Sequence, residues 1–458
     1  MMTSRSFVFM ISSFRVLFLV VGIESRNFNG FMEWLQDEGG HLSGDVTIEE
    51  CGEMEFGIKC VNGLDKGHRV AHISLSSLIN IEHAVTSATA GPVLDELSYL
   101  TDTNAMALFV AYERQRGDSR WQPFLNIMPT RFATSLFMTK SDEEELKGST
   151  FLEFASRRNN AVDKVYRRLS QHLMDMFPHF FPSLTRGDFL WGLSVLWSRT
   201  HRVGVRDHEG NWQHVPCLVP VADMFNMAAN EDDVNIECKT NDESTHFECY
   251  TTKPVSNNSQ LLVMYATDPM QRHNGRLFMD YGFVLEDNPY DSVTVEMPKI
   301  DADDKDAKLR ATVLAWIPAV ASSVLHMPRL NSSSVMTSEL MTVMRCLTMR
   351  KESLQEIIKA RSIEPSSHQD IKRINQLPPP DELQALTKAI SHLHTALNKY
   401  TITVEEDKEI LLEKSEALTL VVRNIVILRK EEKRILRHNL HHLEQHMIRI
   451  KRWFSNEL

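Results

Sequence analysis

Little in this sequence invites a metal centre or a disulfide framework. Six cysteines, Cys51, Cys60, Cys217, Cys238, Cys249 and Cys346, are spread over 458 residues, and no two form a Cys-x-x-Cys pair. A zinc ribbon or a stapled secreted domain needs closer, repeated spacing. The expectation is therefore free thiols, mostly in the core, in a reducing compartment, and no metal. Positive charge is scarce as well: 50 Lys and Arg against 61 Asp and Glu leave a net charge of −11. That balance excludes a globally basic nucleic-acid binder. An uninterrupted apolar run of about 20 residues, the length that crosses a bilayer, is also missing. The nearest approach is Met1–Ser25, MMTSRSFVFMISSFRVLFLVVGIES, broken by Ser12, Ser13 and Arg15. Its early Arg5 and apolar Val16–Ile23 have the outline of a secretory signal or anchor, and equally of a translated upstream extension or a buried apolar arm. Localisation divides along the same fork: cytoplasm or nucleus without a signal, the secretory route or an organelle with one. No other segment points to a membrane, and no repeat of fixed period is present.

What remains is ordinary globular material, 42% hydrophobic and 24% charged, long enough for two or three domains. Phe31-Met-Glu-Trp34-Leu35 has helical spacing and stops at Gly39-Gly40. From Val46 to Ile81, glycines separate short apolar runs, which predicts strands and turns. Cys60–Gly67 reads as a hairpin turn leading to a strand over Arg69–Ile73. Helical periodicity takes over from about Leu94 to Arg202. There Val162, Val165, Leu169, Leu173 and Met176 form one apolar stripe. Thr185 and Asp188 make a capping pair for a helix burying Phe189, Leu193, Leu196 and Trp197. Val215–Val284 returns to strands and turns around a polar loop, Asn230–Glu243. Past Pro289 and the polar segment Lys299–Lys308 the pattern is almost all helical. Pro378-Pro-Pro380 serves as a linker, and Leu436, Leu440, Leu443, Met447 and Ile450 step along a final long helix. The charges of Arg429-Lys-Glu-Glu-Lys-Arg434 read as a solvated face. His438, His442 and His446 share a helix face but lack the neighbouring Glu of a metalloprotease motif. The basic, amphipathic Arg449–Trp453 could meet a partner.

Three stretches carry the chemistry: Leu218-Val-Pro-Val-Ala-Asp-Met-Phe-Asn226-Met227, Gln260-Leu-Leu-Val-Met-Tyr265-Ala-Thr-Asp, and Asn274-Gly-Arg-Leu-Phe-Met-Asp-Tyr281-Gly-Phe283-Val. In this order and spacing they resemble the SET methyltransferase core, specifically the family of the Rubisco large-subunit lysine methyltransferase. Ala107–Pro129, Phe132-Ala-Thr-Ser-Leu-Phe, Trp191–Arg199 and Leu383–Leu440 extend the resemblance to about nine tenths of the chain. It implies an α+β fold: small SET-type β-sheets with a pseudoknot and a helical insert (about 90–205) within residues 26–285. An all-α substrate-binding domain over 286–458 follows, with 1–25 left as the targeting segment.

The resemblance further implies an S-adenosyl-L-methionine-dependent protein methyltransferase. Its protein substrate would dock on the C-terminal helices, with lysine favoured over histidine as target. Asn226 and the Met227 backbone would hold the cofactor, Asp223 would brace their turn, and Arg199 would pair with the cofactor carboxylate. Phe56 and Gly57 would add backbone contacts. Tyr265 would be the central, catalytic tyrosine, and Tyr281 and Phe283 the walls of the substrate channel. The family turn usually reads Asn-His rather than Asn226-Met227, and Tyr-Gly rather than Tyr265-Ala266. Those departures keep open a second reading, a SET-fold binding protein with weak or no catalysis. Read singly, the same residues are commonplace: Tyr265 and Tyr281 as core aromatics, Asn226 with Asp223 as a turn pair, Arg199 as a cation at a helix end.

Overall fold

The computed structural model describes residues 28–51, 56–177, 185–206, 209–318, 320, 324–330, 332–363, 366–414 and 417–457; the apolar Met1–Ser25 segment lies outside them. Eleven short strands come first: β1 (His41–Leu42), β2 (Val46–Glu50), β3 (Phe56–Cys60), β4 (Arg69–Ser74), β5 (Ile79–Asn80), β6 (Thr200–Arg206), β7 (Trp212–Leu218), β8 (Asn226–Met227), β9 (Ile236–Thr240), β10 (His246–Thr251) and β11 (Leu262–Val263). They form small separate sheets. β1-β4-β10-β9 and β5-β7-β6 are antiparallel, β2 and β3 pair as a hairpin, and β8 lies parallel to β11. The Cys60–Gly67 turn is thus no hairpin: it carries the chain from the β2-β3 pair into a different sheet. The polar Asn230–Glu243 segment, expected to be loop, contains β9, held by five register pairs to β10.

That register also corrects the cysteine reading. Cys238 on β9 faces Cys249 on β10 with Cα atoms 4.1 Å apart, and the two are disulfide-bonded. The expectation of six free thiols failed because the 11-residue separation becomes a pairing only once the strand register is known. Cys60, Cys217 and Cys346 are buried free thiols, and Cys51 is half-buried.

Between β5 and β6 runs the helical insert. Its main helices, after the opening α1 (Phe28–Asp37), are α2 (Asp102–Gln115), α3 (Phe151–Met176) and α4 (Arg186–Arg199). Thr185 and Asp188 cap α4 reciprocally, as the sequence pattern predicts. α4 then lies close against α2, because a Cβ at Gly192 would sit 2.3 Å from the Ala107 carbonyl oxygen. Phe189, Leu193 and Leu196 are buried as expected. On α3 the stripe holds for Val162, Leu169 and Leu173, but Met176 at its end is exposed. α5 (Asn274–Asp280) closes this half.

Past residue 286 the described residues are mostly helical, with an antiparallel pair of strands, β12 (Ser292–Glu296) and β13 (Val324–Pro328), joined through a helix over Ala307–Leu314. Around it pack α6 (Glu339–Thr348), α7 (Pro379–Leu397) and the 38-residue α8 (Leu420–Glu457). Among the described residues no helix is long and apolar enough to cross a membrane.

Two apolar cores result, one among the strands and insert helices and one around α6, α7 and α8. A third, smaller cluster joins them: Phe151, Phe278 and Val284 pack against Ile425, Ile427 and Leu428 of α8. The same stretch of α8 overturns the expectation of a solvated charged face. Arg429, Lys430, Glu431, Glu432 and Lys433 are all buried. Arg429 pairs with Asp407 (2.8 Å) and Glu145 (2.6 Å), Lys433 with Asp407 (2.6 Å), and Lys430 with Glu286. Glu432 accepts from Ser149 (2.9 Å) and Tyr400 (3.0 Å). Buried charges persist only when paired; the Asp407 pairs lie within the helical region, and those with Glu145 and Glu286 reach across to the first half of the chain.

Candidate cofactor and substrate site

Parallel pairing of β8 with β11 sets Asn226 opposite Leu262 and Met227 opposite Val263. Tyr265, three residues past Leu262, is thereby delivered beside Asn226. Immediately upstream the backbone is strained. Buried Val221 has φ +70° in a three-residue turn closed by Ala222 N–H donating to the Pro220 carbonyl (2.8 Å). A β-branched residue there costs of order 1–3 kcal/mol and persists only where its surroundings enforce it. The 3₁₀ turn Ala222–Met224 that follows presents Asp223 inward.

Seven of the nine predicted site residues converge on one cavity. Phe56, Arg199, Asp223, Asn226, Tyr265, Tyr281 and Phe283 line it, together with Arg131, Phe132 and Leu420 among others. Gly57 stands just behind: a Cβ there would come within 2.6 Å of the Asn226 amide nitrogen and 3.1 Å of Gln260 Oε1. Met227 does not reach the wall. Its place is in the β8-β11 ladder, one residue beyond Asn226. The free space among these side chains is small, ≈ 90 Å³. On the far side of Tyr265 and Tyr281 opens a groove of ≈ 750 Å³, whose walls include His201, Phe247, Met264 and Cys238 of the disulfide. Ser198, Arg199, Asp223, Tyr265 and Tyr281 belong to both spaces and so form the partition between them.

Two aromatic rings, Tyr265 and Tyr281, make the apolar part of that partition, with Phe283 beside them on the small-cavity side. Tyr265 stacks on Tyr281 with centroids 4.8 Å apart, and Phe283 lies 6.4 Å from Tyr265 and 6.1 Å from Tyr281. Burial, with help from the Asp280 carboxylate, pushes the Tyr281 phenol up to about 12. The wall is therefore poorly solvated, a setting that penalises any charged form. His201 beside it is held down at about 4, chiefly by burial.

The polar part is one ion pair. Arg199 Nη1 donates to the Asp223 carboxylate (3.0 Å) and to its backbone carbonyl (2.9 Å). Arg199 thus braces the Asp223 turn, and its Nε remains buried without a hydrogen-bond partner. Asn226 Nδ2 donates to Gln260 Oε1 (3.0 Å), which fixes the amide plane. The sequence reading missed Gln260, Arg131, Phe132 and Leu420 as contributors. Gln260 and Phe132 stand in the quoted stretches but carry no chemical signature. Leu420 belongs to the last helix, far away in sequence.

The three-dimensional arrangement matches known proteins over nearly its whole length. The structure titled "Crystal structure of the SET domain of LSMT bound to Lysine and AdoHcy" superposes with a TM-score of 0.69 at 19% identity, covering 93% of this chain and 92% of that one. "Structure of Rubisco LSMT bound to AdoMet" gives 0.68, again at 19% identity and 93% coverage of each. The family model described as Rubisco LSMT substrate-binding matches residues 301–436. The chain has the SET fold of those structures, and its residues 301–436 are similar to the Rubisco LSMT substrate-binding family. Among curated relatives, actin-histidine N-methyltransferases of Homo sapiens and Mus musculus are each 23% identical over 427 residues, 89% of this chain and 67% of theirs. The residues present fit an adenosylmethionine in that Arg199, on the cavity wall, keeps a buried donor unused.

Proposed function

We propose that this chain is an S-adenosylmethionine-dependent protein N-methyltransferase that modifies lysine, with its substrate docked on the helical region that follows the SET fold. The observation that carries this reading is the stacked pair Tyr265 and Tyr281 shared by a small polar cavity and an open groove, with Phe283 on the cavity side. Arg199, Asp223, Asn226, the Phe56-Gly57 strand end and the Met227 backbone would hold the cofactor. When bound, that cofactor supplies an electrophilic methyl on a positively charged sulfur.

What the chain must do is present a nitrogen lone pair in line with that methyl. A free lysine titrates near roughly 10.4 and so lacks a lone pair at neutral pH. The poorly solvated wall around Tyr281 disfavours the ammonium and lowers that value. The aromatic wall of Tyr265, Tyr281 and Phe283 would pack along the apolar stem of the side chain and fix its approach, the source of much of the rate in a displacement of this kind. The Tyr265 and Tyr281 hydroxyls are the polar groups of the aromatic core able to orient the reacting atoms. Weak C–H···O contacts to a polarised methyl contribute ~0.5–1 kcal/mol each.

Calorimetric titration with S-adenosylmethionine, then methyl transfer to proteins of a lysate read by mass spectrometry, tests the proposal. Asn226→Ala should weaken cofactor binding by about tenfold, and Tyr265→Phe should slow transfer by about tenfold or more. A folded protein that binds no cofactor and transfers no methyl overturns it. Partner capture that survives both substitutions would identify instead the non-catalytic binding protein that Met227 and Ala266 suggest. A second target, histidine, is favoured by the actin-histidine N-methyltransferases among the relatives. An imidazole is already largely neutral at pH 7 and needs no apolar wall to become so, and the mass spectra assign the modified residue directly.

A further inference from the structure

The turn that carries the two aromatic walls is held from outside the SET fold. α5 ends at Asp280, and the Tyr281 and Gly282 N–H groups both donate back to the Leu277 carbonyl, at 2.9 and 3.0 Å. Gly282 takes φ +82°, and a Cβ there would press within 3.1–3.3 Å of the Ala133 and Thr134 backbone. A helix end of this type leaves its following carbonyls without a partner in the helix. The Gly282 carbonyl finds one in α8: Asn424 Nδ2 donates to it at 2.6 Å. Because the peptide unit is planar, fixing that oxygen fixes the Phe283 nitrogen as well.

We propose that Asn424 is a positioning residue for the aromatic partition, acting through the Gly282–Phe283 peptide; this deepens, and rests on, the methyltransferase reading. Three observations converge on it. Asn424 is itself buried, at 8% exposure, where an unsatisfied amide is costly. Leu420, one turn earlier on the same helix face, lines the cofactor-side cavity. Ile425 and Leu428 pack against Phe278 and Val284, clamping the turn on both its sides. The last helix thus shapes the channel as well as joining the two cores.

The test compares Asn424→Ala and the near-isosteric Asn424→Asp, whose carboxylate cannot donate to a carbonyl, with Lys430→Met. Lys430 lies on the same helix and pairs with Glu286, outside both spaces of the site. Both Asn424 variants should lower kcat by about ten- to a hundredfold and leave the Kd for S-adenosylmethionine within about threefold. They should also speed amide hydrogen exchange at residues 282–284 by at least about tenfold. Lys430→Met should lower the melting temperature and leave kcat and that exchange at wild-type values. Wild-type exchange at 282–284 in both Asn424 variants overturns the proposal, and so does a kcat loss that Lys430→Met reproduces. If the wild-type protein transfers no methyl, the methyltransferase reading fails separately. Exchange at 282–284 then still decides the role of Asn424: acceleration specific to its two variants supports it, and equal protection overturns it.

Discussion

The partition at Tyr265 and the junction at α8 handle charge in opposite ways. At the partition three rings cluster, with the Arg199–Asp223 pair at the edge and Asp280, paired with Arg158 and Arg276, next to Tyr281. At the junction Arg429, Lys430 and Lys433 are buried against Asp407, Glu145 and Glu286 within two turns of helix. A site that must neutralise an amine gains from having few fixed charges, since each would favour one protonation state over another. A joint between two cores gains from many, since a mismatched docking would leave several of them unpaired in a dry interface.

That contrast can be broken in measurable steps. The largest effect is expected at Asp407, fully buried between Arg429 and Lys433. Asp407→Ala leaves two cations short of their shared partner and should cost about 3–5 kcal/mol in urea unfolding; a loss under 1 kcal/mol would mean that the junction's charges do little for stability. Next comes pH. Burial pushes Glu432 and Asp291 each up to about 7. Raised folded-state values mean that the native chain binds more protons than the unfolded one between the ordinary carboxylate range and pH 7. The stability these carboxyls contribute is therefore complete below the ordinary carboxylate range and is lost as pH rises to about 7, at no more than about 1.4 kcal/mol per pH unit for each. Glu432→Gln should flatten that slope, and an unchanged pH profile of the melting temperature would contradict it. The smallest effect belongs to Lys388→Ala at the surface pair with Asp301, 3.5 Å apart and largely solvated. No measurable stability change is expected there, and one comparable to Asp407→Ala would erase the distinction between buried and exposed pairs.

Legibility in the sequence followed distance along the chain. The Thr185–Asp188 cap spans three residues and is visible in the letters alone. The meeting of Asn226 with Tyr265 could not be seen in periodicity; it rested on the order of three motifs resembling a known family. The Cys238–Cys249 bond stayed hidden because β9 lies inside a segment whose Asn, Asp and Glu content argues for loop. The Arg429–Arg434 charges read as solvated because their partners lie as far as 284 residues away, at Glu145. Asn424 carries no local signal, since its importance comes from a carbonyl 142 residues upstream. Local chemistry is written locally, whereas partners brought together by topology are not.

The dense pairing along the last helix bears on how the protein can be divided. Excising the first half as a free-standing fragment would strip Glu145 and Glu286 of their cations, expose Phe278 and Val284 to water, and leave the Gly282 carbonyl unanchored. The smallest piece that keeps the channel intact therefore includes a segment of α8 more than a hundred residues beyond the last aromatic wall. Modularity in this chain is a matter of evolutionary accounting, and a scissors cut at residue 286 would not respect it.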